Sequence, residues 1–260
     1  MLVPRVIPCL LLRGKKLVKT VRFRRPEYVG DPINTVRIFN EKEVDELVFL
    51  DIGARPASQA VQLELIAEIA SECFMPFAYG GGLNSIEDIR HVLANGAEKV
   101  VLNTALHDGP AVVREAAERF GSQSIMASID VRKTWRRQER VVTSCGQRRT
   151  REDPVAFARR AVELGAGEIL LTSIDRDGTF QGYDLELTAR VSQAVDVPVI
   201  ACGGAGHLAH LQAAVTRGGA DAVGAGSLFV YQNRNRSVLI NYPRRHVLDS
   251  LFLSEGGAST

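Results

Sequence analysis

The sequence lacks any long apolar run and any paired cysteines, and each absence removes a class of protein. Its early apolar stretch, 6–12, is only seven residues long and has no small-residue cleavage site after it. That is too short for a signal peptide or a membrane span, so it reads as a buried strand and no membrane partner is expected. Cys9, Cys73, Cys145 and Cys202 form no C-x-x-C pair, so neither a zinc site nor a redox motif is indicated. Four unpatterned thiols in 260 residues point to a reducing, cytoplasmic setting. No metal and no cofactor are expected. A net charge of +2 is too small to argue for nucleic acid. What the chain does have is 45% apolar residues, ample core for one barrel or two small domains.

Short apolar runs alternate with amphipathic stretches along the whole length. Strands are expected at 5–11, 46–52, 75–79, 99–103, 124–130, 168–174, 197–202 and 222–226, each a continuous apolar run suited to a parallel strand covered by helices. Helices are expected at 31–44, 60–72, 84–95, 109–119, 153–164, 184–194, 207–217 and 243–253. Eight βα units imply a closed barrel or a very wide doubly wound sheet, and no G-x-G-x-x-G follows the first strand to favour the sheet.

The chain also repeats itself. Asp31-Pro32 and Asp153-Pro154 both read as helix starts, with Asp as N-cap and Pro in the first turn, 122 residues apart. At the same offset the segment from Glu46 matches that from Glu168, and the Gly81-Gly82 turn matches Gly203-Gly204. A period this long reads as a duplicated four-unit half. The expected fold is therefore a single α/β (β/α)₈ TIM barrel over 1–253, with half-barrels of about 1–120 and 121–253 and a disordered tail at 254–260.

In such a barrel the loops after the strands build the site. Gly80-Gly81-Gly82 and Gly203-Gly204 end matched strands, and glycine lets a backbone approach an anion closely. Asn103-Thr104 and Gly226-Ser227 end the neighbouring strands and add donors beside each turn. Glycine is also an ordinary turn residue, but two clusters at matched positions point to two phosphate sites and an elongated, doubly phosphorylated small molecule. Two long, basic loops face the same way. One carries Arg13, Lys15, Lys16, Lys19, Arg22, Arg24 and Arg25, and the other runs from Arg132 to Arg151 with Glu139 its one opposing acid before Arg151. They would steer anions, or serve only as solvated surface. Trp135 reads as a stacking platform for a base or sugar, or as a loop-packing anchor. Asp130 ends the fifth strand, where a carboxylate reads as a general acid or base. Its repeat counterpart is Leu11, so no second carboxylate faces it from that strand. In Asp175-Arg-Asp177-Gly178 the plain reading is a turn with capping Asp residues.

The segments at 45–52, 80–82, 171–179 and 182–184 closely resemble HisF, the cyclase subunit of imidazole glycerol phosphate synthase, and the resemblance runs over about 5–229. It implies a barrel that receives ammonia from a glutaminase subunit of the HisH type and uses it on a substrate with two phosphates. By the same resemblance Asp130 matches one of two catalytic aspartates, and Lys19 a loop lysine near the substrate. Gly82, Asn103 and Thr104 match one phosphate site; Asp177, Gly178, Gly204 and Ser227 match the other; Thr172 lines the mouth. Arg5, Glu46, Lys99 and Glu168 match a charged ring that gates an ammonia channel, with a structural plug as the plainer alternative. The family's other catalytic aspartate falls at Leu11. Leu-Leu-Leu-Arg near the start and Leu-Ile-Asn-Tyr-Pro near the end resemble a HisF-like branch associated with surface-polysaccharide (O-antigen) biosynthesis. There ammonia converts an acetamido sugar to an acetamidino sugar with an ATP-using amidotransferase. Three functions therefore stand open: an ammonia-using synthase subunit of that branch, a cyclase of histidine biosynthesis, and a non-catalytic conduit that activates its glutaminase.

Overall fold

The computed structural model describes residues 3–54 and 61–253, so the tail at 254–260 lies outside the described residues. The first half contains β1 (Arg5–Arg13), β2 (Lys16–Val21), β3 (Arg24–Gly30), α1 (Pro32–Glu41), β4 (Leu47–Asp51), α2 (Leu63–Glu72), β5 (Phe77–Gly80), α3 (Ile86–Ala94), β6 (Lys99–Leu102), α4 (Thr104–Asp108) and α5 (Pro110–Phe120). The second contains β7 (Ile125–Lys133), β8 (Glu139–Thr143), β9 (Arg148–Arg149), α6 (Pro154–Glu163), β10 (Glu168–Ser173), α7 (Leu185–Ser192), β11 (Val199–Cys202), α8 (Leu208–Thr216), β12 (Ala222–Ala225), α9 (Ser227–Val230) and α10 (Arg245–Leu253).

The Asp-Pro starts behave as their chemistry requires. Asp31 accepts the N–H of Asn34, and Asp153 accepts those of Val155 and Ala156, so each satisfies donors that a helix leaves unpaired. Eight strands pair in parallel in the order β10-β11-β12-β1-β4-β5-β6-β7, and β10 pairs with β7 to close the ring. Two-residue periodicity then sorts the side chains. Ile7, Cys9, Val48, Ala78, Val101, Met126, Leu170, Ile200 and Ala222 fill the interior of the ring. Residues of the opposite parity, such as Val6, Leu10, Phe49, Phe77 and Val100, pack outward beneath the helices.

Both basic loops turn out to be antiparallel hairpins. β1 runs on into β2 and β3, and β7 into β8 and β9. The hairpin is itself repeated between the halves. The β1–β2 turn holds Gly14 at positive φ, but the next turns place bulkier residues there: Arg22 and Phe23 both have positive φ, as do Ser144 and Cys145 ahead of Gly146. Near the C-terminus, Tyr242 of the Leu-Ile-Asn-Tyr-Pro segment is buried beside Phe39 and Phe229 and donates its hydroxyl proton to Val6 O at 2.8 Å. That segment thus latches onto the first strand. None of the four cysteines forms a disulfide among the described residues. Among the described residues no helix is long and apolar enough to cross a membrane.

Candidate active site at the open end of the barrel

Inward parity on β7 brings Met126, Ser128 and Asp130 up the ring interior, and Asp130 lies level with Thr172 of β10. Asn103, just after β6, donates its amide to Asp130 Oδ2 at 3.1 Å and to Ser128 O at 3.0 Å. Asp130 is only 7% exposed. Burial, reinforced by the negative charge of Asp177, pushes its carboxyl up to about 7, against the opposing pull of Ser128, Arg132 and Thr172. A carboxyl with that affinity can both take and return a proton near neutrality, which is what a general acid or base needs.

Asp177 sits across from it in a lysine clasp. Lys19 of β2 pairs with Asp177 Oδ1 at 2.8 Å, and Thr20 donates to Oδ2 at 3.3 Å. Lys19 is buried rather than free on a loop. Arg22 donates its backbone N–H to Asp177 O and its Nε to Asp175 O, while Asp175 Oδ2 accepts the N–H of Lys133. The capping reading of Asp175 and Asp177 is therefore overturned: both reach across to the two hairpins. A Cβ built on Gly146 would meet Phe23 at 3.1 Å, so the hairpin turns touch one another and roof part of the mouth. Trp135, at the tip of the β7–β8 hairpin, is 83% exposed with Arg136 stacked 4.5 Å from its ring centre. It anchors no packing. Some of the basic side chains are spent on ion pairs, Lys133 with Asp184 and Glu139, and Arg148 with Asp108.

The two glycine turns follow β5 and β11, four strands apart in the ring and so on opposite sides of the mouth. Gly81, Gly82, Gly203 and Gly204 all have positive φ. The space beside them is not left open, as the sequence suggested. A Cβ on Gly81 would lie 2.4 Å from Asp51 O, and one on Gly203 would lie 2.7 Å from Ser173 O. The glycines let neighbouring loops interlock and thereby fix the turns. Gly226 likewise makes way for Lys19, and Gly178 for Thr20 O. The donors beside the turns also differ. Asn103 is turned to Asp130, and Thr104 Oγ1 accepts the N–H of Ser144 at 3.2 Å. Ser227, 5% exposed, has a buried hydroxyl with no hydrogen-bond partner among the described residues.

At the other end of the ring, Arg5, Glu46, Lys99 and Glu168 form a closed circuit. Arg5 bonds both carboxylates, and Lys99 reaches Glu46 at 3.0 Å and Glu168 at 2.7 Å. Each carboxylate thus uses both oxygens, the arrangement that a buried charge needs if its desolvation is to be offset. Among the described residues no group of three or more His, Cys, Asp or Glu could hold a metal ion.

A family model described as "Histidine biosynthesis protein" matches residues 5–235. The chain belongs to the histidine biosynthesis protein family. It is 50% identical over 245 residues to a Pseudomonas aeruginosa protein provisionally named imidazole glycerol phosphate synthase subunit hisF2, covering 94% of this chain and 98% of that one. A Leptospira interrogans protein, provisionally named imidazole glycerol phosphate synthase subunit HisF, is 44% identical over 253 residues, covering 97% of this chain and all of that one. A Vibrio vulnificus relative, provisionally named subunit hisF3, is 43% identical over 244 residues, covering 94% of each.

The family's barrel gathers Asp130, Asn103, Thr172, Lys19, Asp177 and Gly226 at one mouth and sets the charged ring at the far end. Leu11 shares the inward parity of Ile7 and Cys9 and lies beside Leu50. Two neighbours escaped the sequence reading: Ser128 beneath Asp130, and Thr20 on Asp177. Ser128 could have been found from strand parity alone; Thr20 could not, because its strand was read as a loop.

Proposed function

We propose that this chain is the synthase (cyclase-type) subunit of a glutamine amidotransferase complex, using ammonia on a phosphorylated small molecule at the mouth. A HisH-like glutaminase would dock at the charged-ring end. The observation that carries this reading is the axial order of the barrel: an ion circuit, then an apolar interior, then Asp130. An interior lined by Ile7, Val48, Ala78, Val101, Met126, Leu170 and Ile200 admits neutral ammonia and penalises ammonium and other ions. Arg5 and Lys99 part from Glu46 and Glu168 to admit it. At the mouth Asp130 shuttles the proton that nitrogen attack releases, a role typically worth ~10²–10⁴-fold.

The substrate's phosphates would sit by Gly81-Gly82 with Asn103 and Thr104, and by Gly178, Gly203-Gly204 and Gly226-Ser227. Support for the second site is Ser227, because a buried hydroxyl left unpaired costs about 1–3 kcal/mol and an anion would satisfy it. Leu11 removes the second carboxylate, which favours chemistry other than histidine-pathway cyclisation; we place it in acetamidino-sugar (O-antigen) biosynthesis beside an ATP-using amidotransferase. The printed names themselves favour the second reading, a cyclase subunit of histidine biosynthesis.

Purified chain, ammonia and the histidine-pathway substrate decide between them. The proposal expects no turnover at ordinary enzymatic rates, and a gain with Leu11→Asp; ordinary turnover by the unaltered chain overturns it. Adding a HisH-type glutaminase and amide-¹⁵N glutamine tests the complex itself. Glutamine hydrolysis should rise on mixing, and should not rise with Glu168→Gln. An unchanged rate with the native chain would exclude the partnership.

A further inference from the structure

Outside the strand ring, a cavity of about 400 Å³ lies between residues 181–186, which run into the first turn of α7, and His210 and Ala213 of α8 with Arg217 just beyond it. Its wall includes neither Asp130 nor any residue assigned above to a phosphate. Lys133, Arg176, Arg217 and His210 line it, against Asp184 and Glu186. Asp184 is already committed, accepting the N–H of Leu187 and pairing with Lys133 at 3.0 Å. Positive charge is therefore in excess.

His210 supports this. Burial, and then neighbouring His207, Arg176 and Arg234, hold its pKa below the ordinary value. Its Nδ1 accepts the backbone N–H of Gly206 at 3.1 Å, which leaves Nε2 as the protonated, donating nitrogen of the neutral ring. The cavity wall is also mechanically joined to the mouth. Gly182 donates its N–H to Gly204 O at 2.8 Å, and Arg176 donates to Gln181 O at 3.1 Å, so an occupant that draws Arg176 away loosens the peptide against which the Gly203-Gly204 turn is packed.

We infer that this cavity is a further anion site, apart from the two at the mouth, taking the phosphate or diphosphate group of a small effector on Arg176, Arg217 and the Nε2–H of His210. Its occupancy is coupled to the glycine turn through Gly182. The coupling is reciprocal, so a ligand at either site changes affinity at the other.

Inorganic pyrophosphate is the probe, and the His210 imidazole signals in NMR, assigned with His210→Gln, are the readout. The full chain should show a saturable upward move of the His210 titration midpoint, because a neighbouring anion favours the imidazolium. Arg217→Ala, an exposed change just beyond α8, should weaken that response by about tenfold, the worth of one charge-assisted hydrogen bond. Ser227→Ala should leave it in place, which separates this site from any anion at the mouth. A His210 midpoint indifferent to millimolar pyrophosphate, or a response lost with Ser227→Ala and kept with Arg217→Ala, overturns the inference.

Discussion

The two halves of the barrel share a plan and differ in their chemistry. β1 and β7 each span nine residues, each continues into an antiparallel hairpin, and each hairpin leads to a helix opened by Asp-Pro. Yet the inward position that holds Asp130 in the second half holds Leu11 in the first. Beside the glycine turns, the Thr104 hydroxyl accepts a hydrogen bond while that of Ser227 has no partner among the described residues. The ion circuit draws Arg5, Glu46 and Lys99 from the first half and only Glu168 from the second. A duplicated scaffold keeps the features that set its geometry, and the side chains that touch ligand are free to diverge once the geometry holds.

The largest test of that contrast is activity. Asp130→Asn should lower turnover of the complex by ~10²–10⁴-fold, whereas Leu11→Ala should change it by no more than a few-fold, read by steady-state kinetics. Equal losses would erase the distinction between the halves.

The same residue makes a stability prediction. With its carboxyl raised to about 7, native Asp130 keeps a proton that the unfolded chain has released above about pH 4. Native protein then binds more protons than unfolded, so this residue's contribution falls as pH rises from 4 to 7. Asp130→Asn should remove that loss and raise stability at pH 8, with a ceiling of roughly 4 kcal/mol. Denaturant unfolding at pH 5 and pH 8 measures it, and Leu11→Asn, which keeps Asp130, should differ from the native chain by the same amount at both pH values.

At the ring the two halves should behave alike. Glu46→Gln and Glu168→Gln each take one carboxylate from Arg5 and Lys99, and each should cost about 3–5 kcal/mol, because removal of one partner leaves buried charge uncompensated. Markedly unequal costs would show that the circuit is not shared evenly. The smallest effects sit beside the glycine turns. Thr104→Ala loses the bond from Ser144 and should cost about 1 kcal/mol. Ser227→Ala removes an unpaired hydroxyl, so it should be neutral or stabilising by up to about 1 kcal/mol while weakening phosphate binding.

Much of this architecture was legible because parallel strands under helices are continuous apolar runs, and because Asp-Pro starts and a 122-residue offset are local signals. All eight ring strands overlap their expected positions. The hairpins were not legible. Their strands, such as Lys16–Val21 and Glu139–Thr143, mix charge with apolar residues, and their turns place Arg22, Phe23, Ser144 and Cys145 in a conformation that normally calls for Gly or Asn. Those turns are held by tertiary bonds, Arg22 to Asp175 and Asp177 among them, and such bonds leave no local trace. The site was half legible for the same reason. Asp130 and the glycines stand at strand ends, but the Lys19–Asp177 clasp and the unpaired Ser227 hydroxyl exist only once the ring has closed.

The raised proton affinity of Asp130 underlies the proposed chemistry, and it can be read without any substrate. A ¹³C-carboxyl NMR titration of the whole chain, with Asp130→Asn to assign the signal, should show one aspartate with a midpoint of about 7. A midpoint for Asp130 in the ordinary carboxylate range, about 4, would contradict the account.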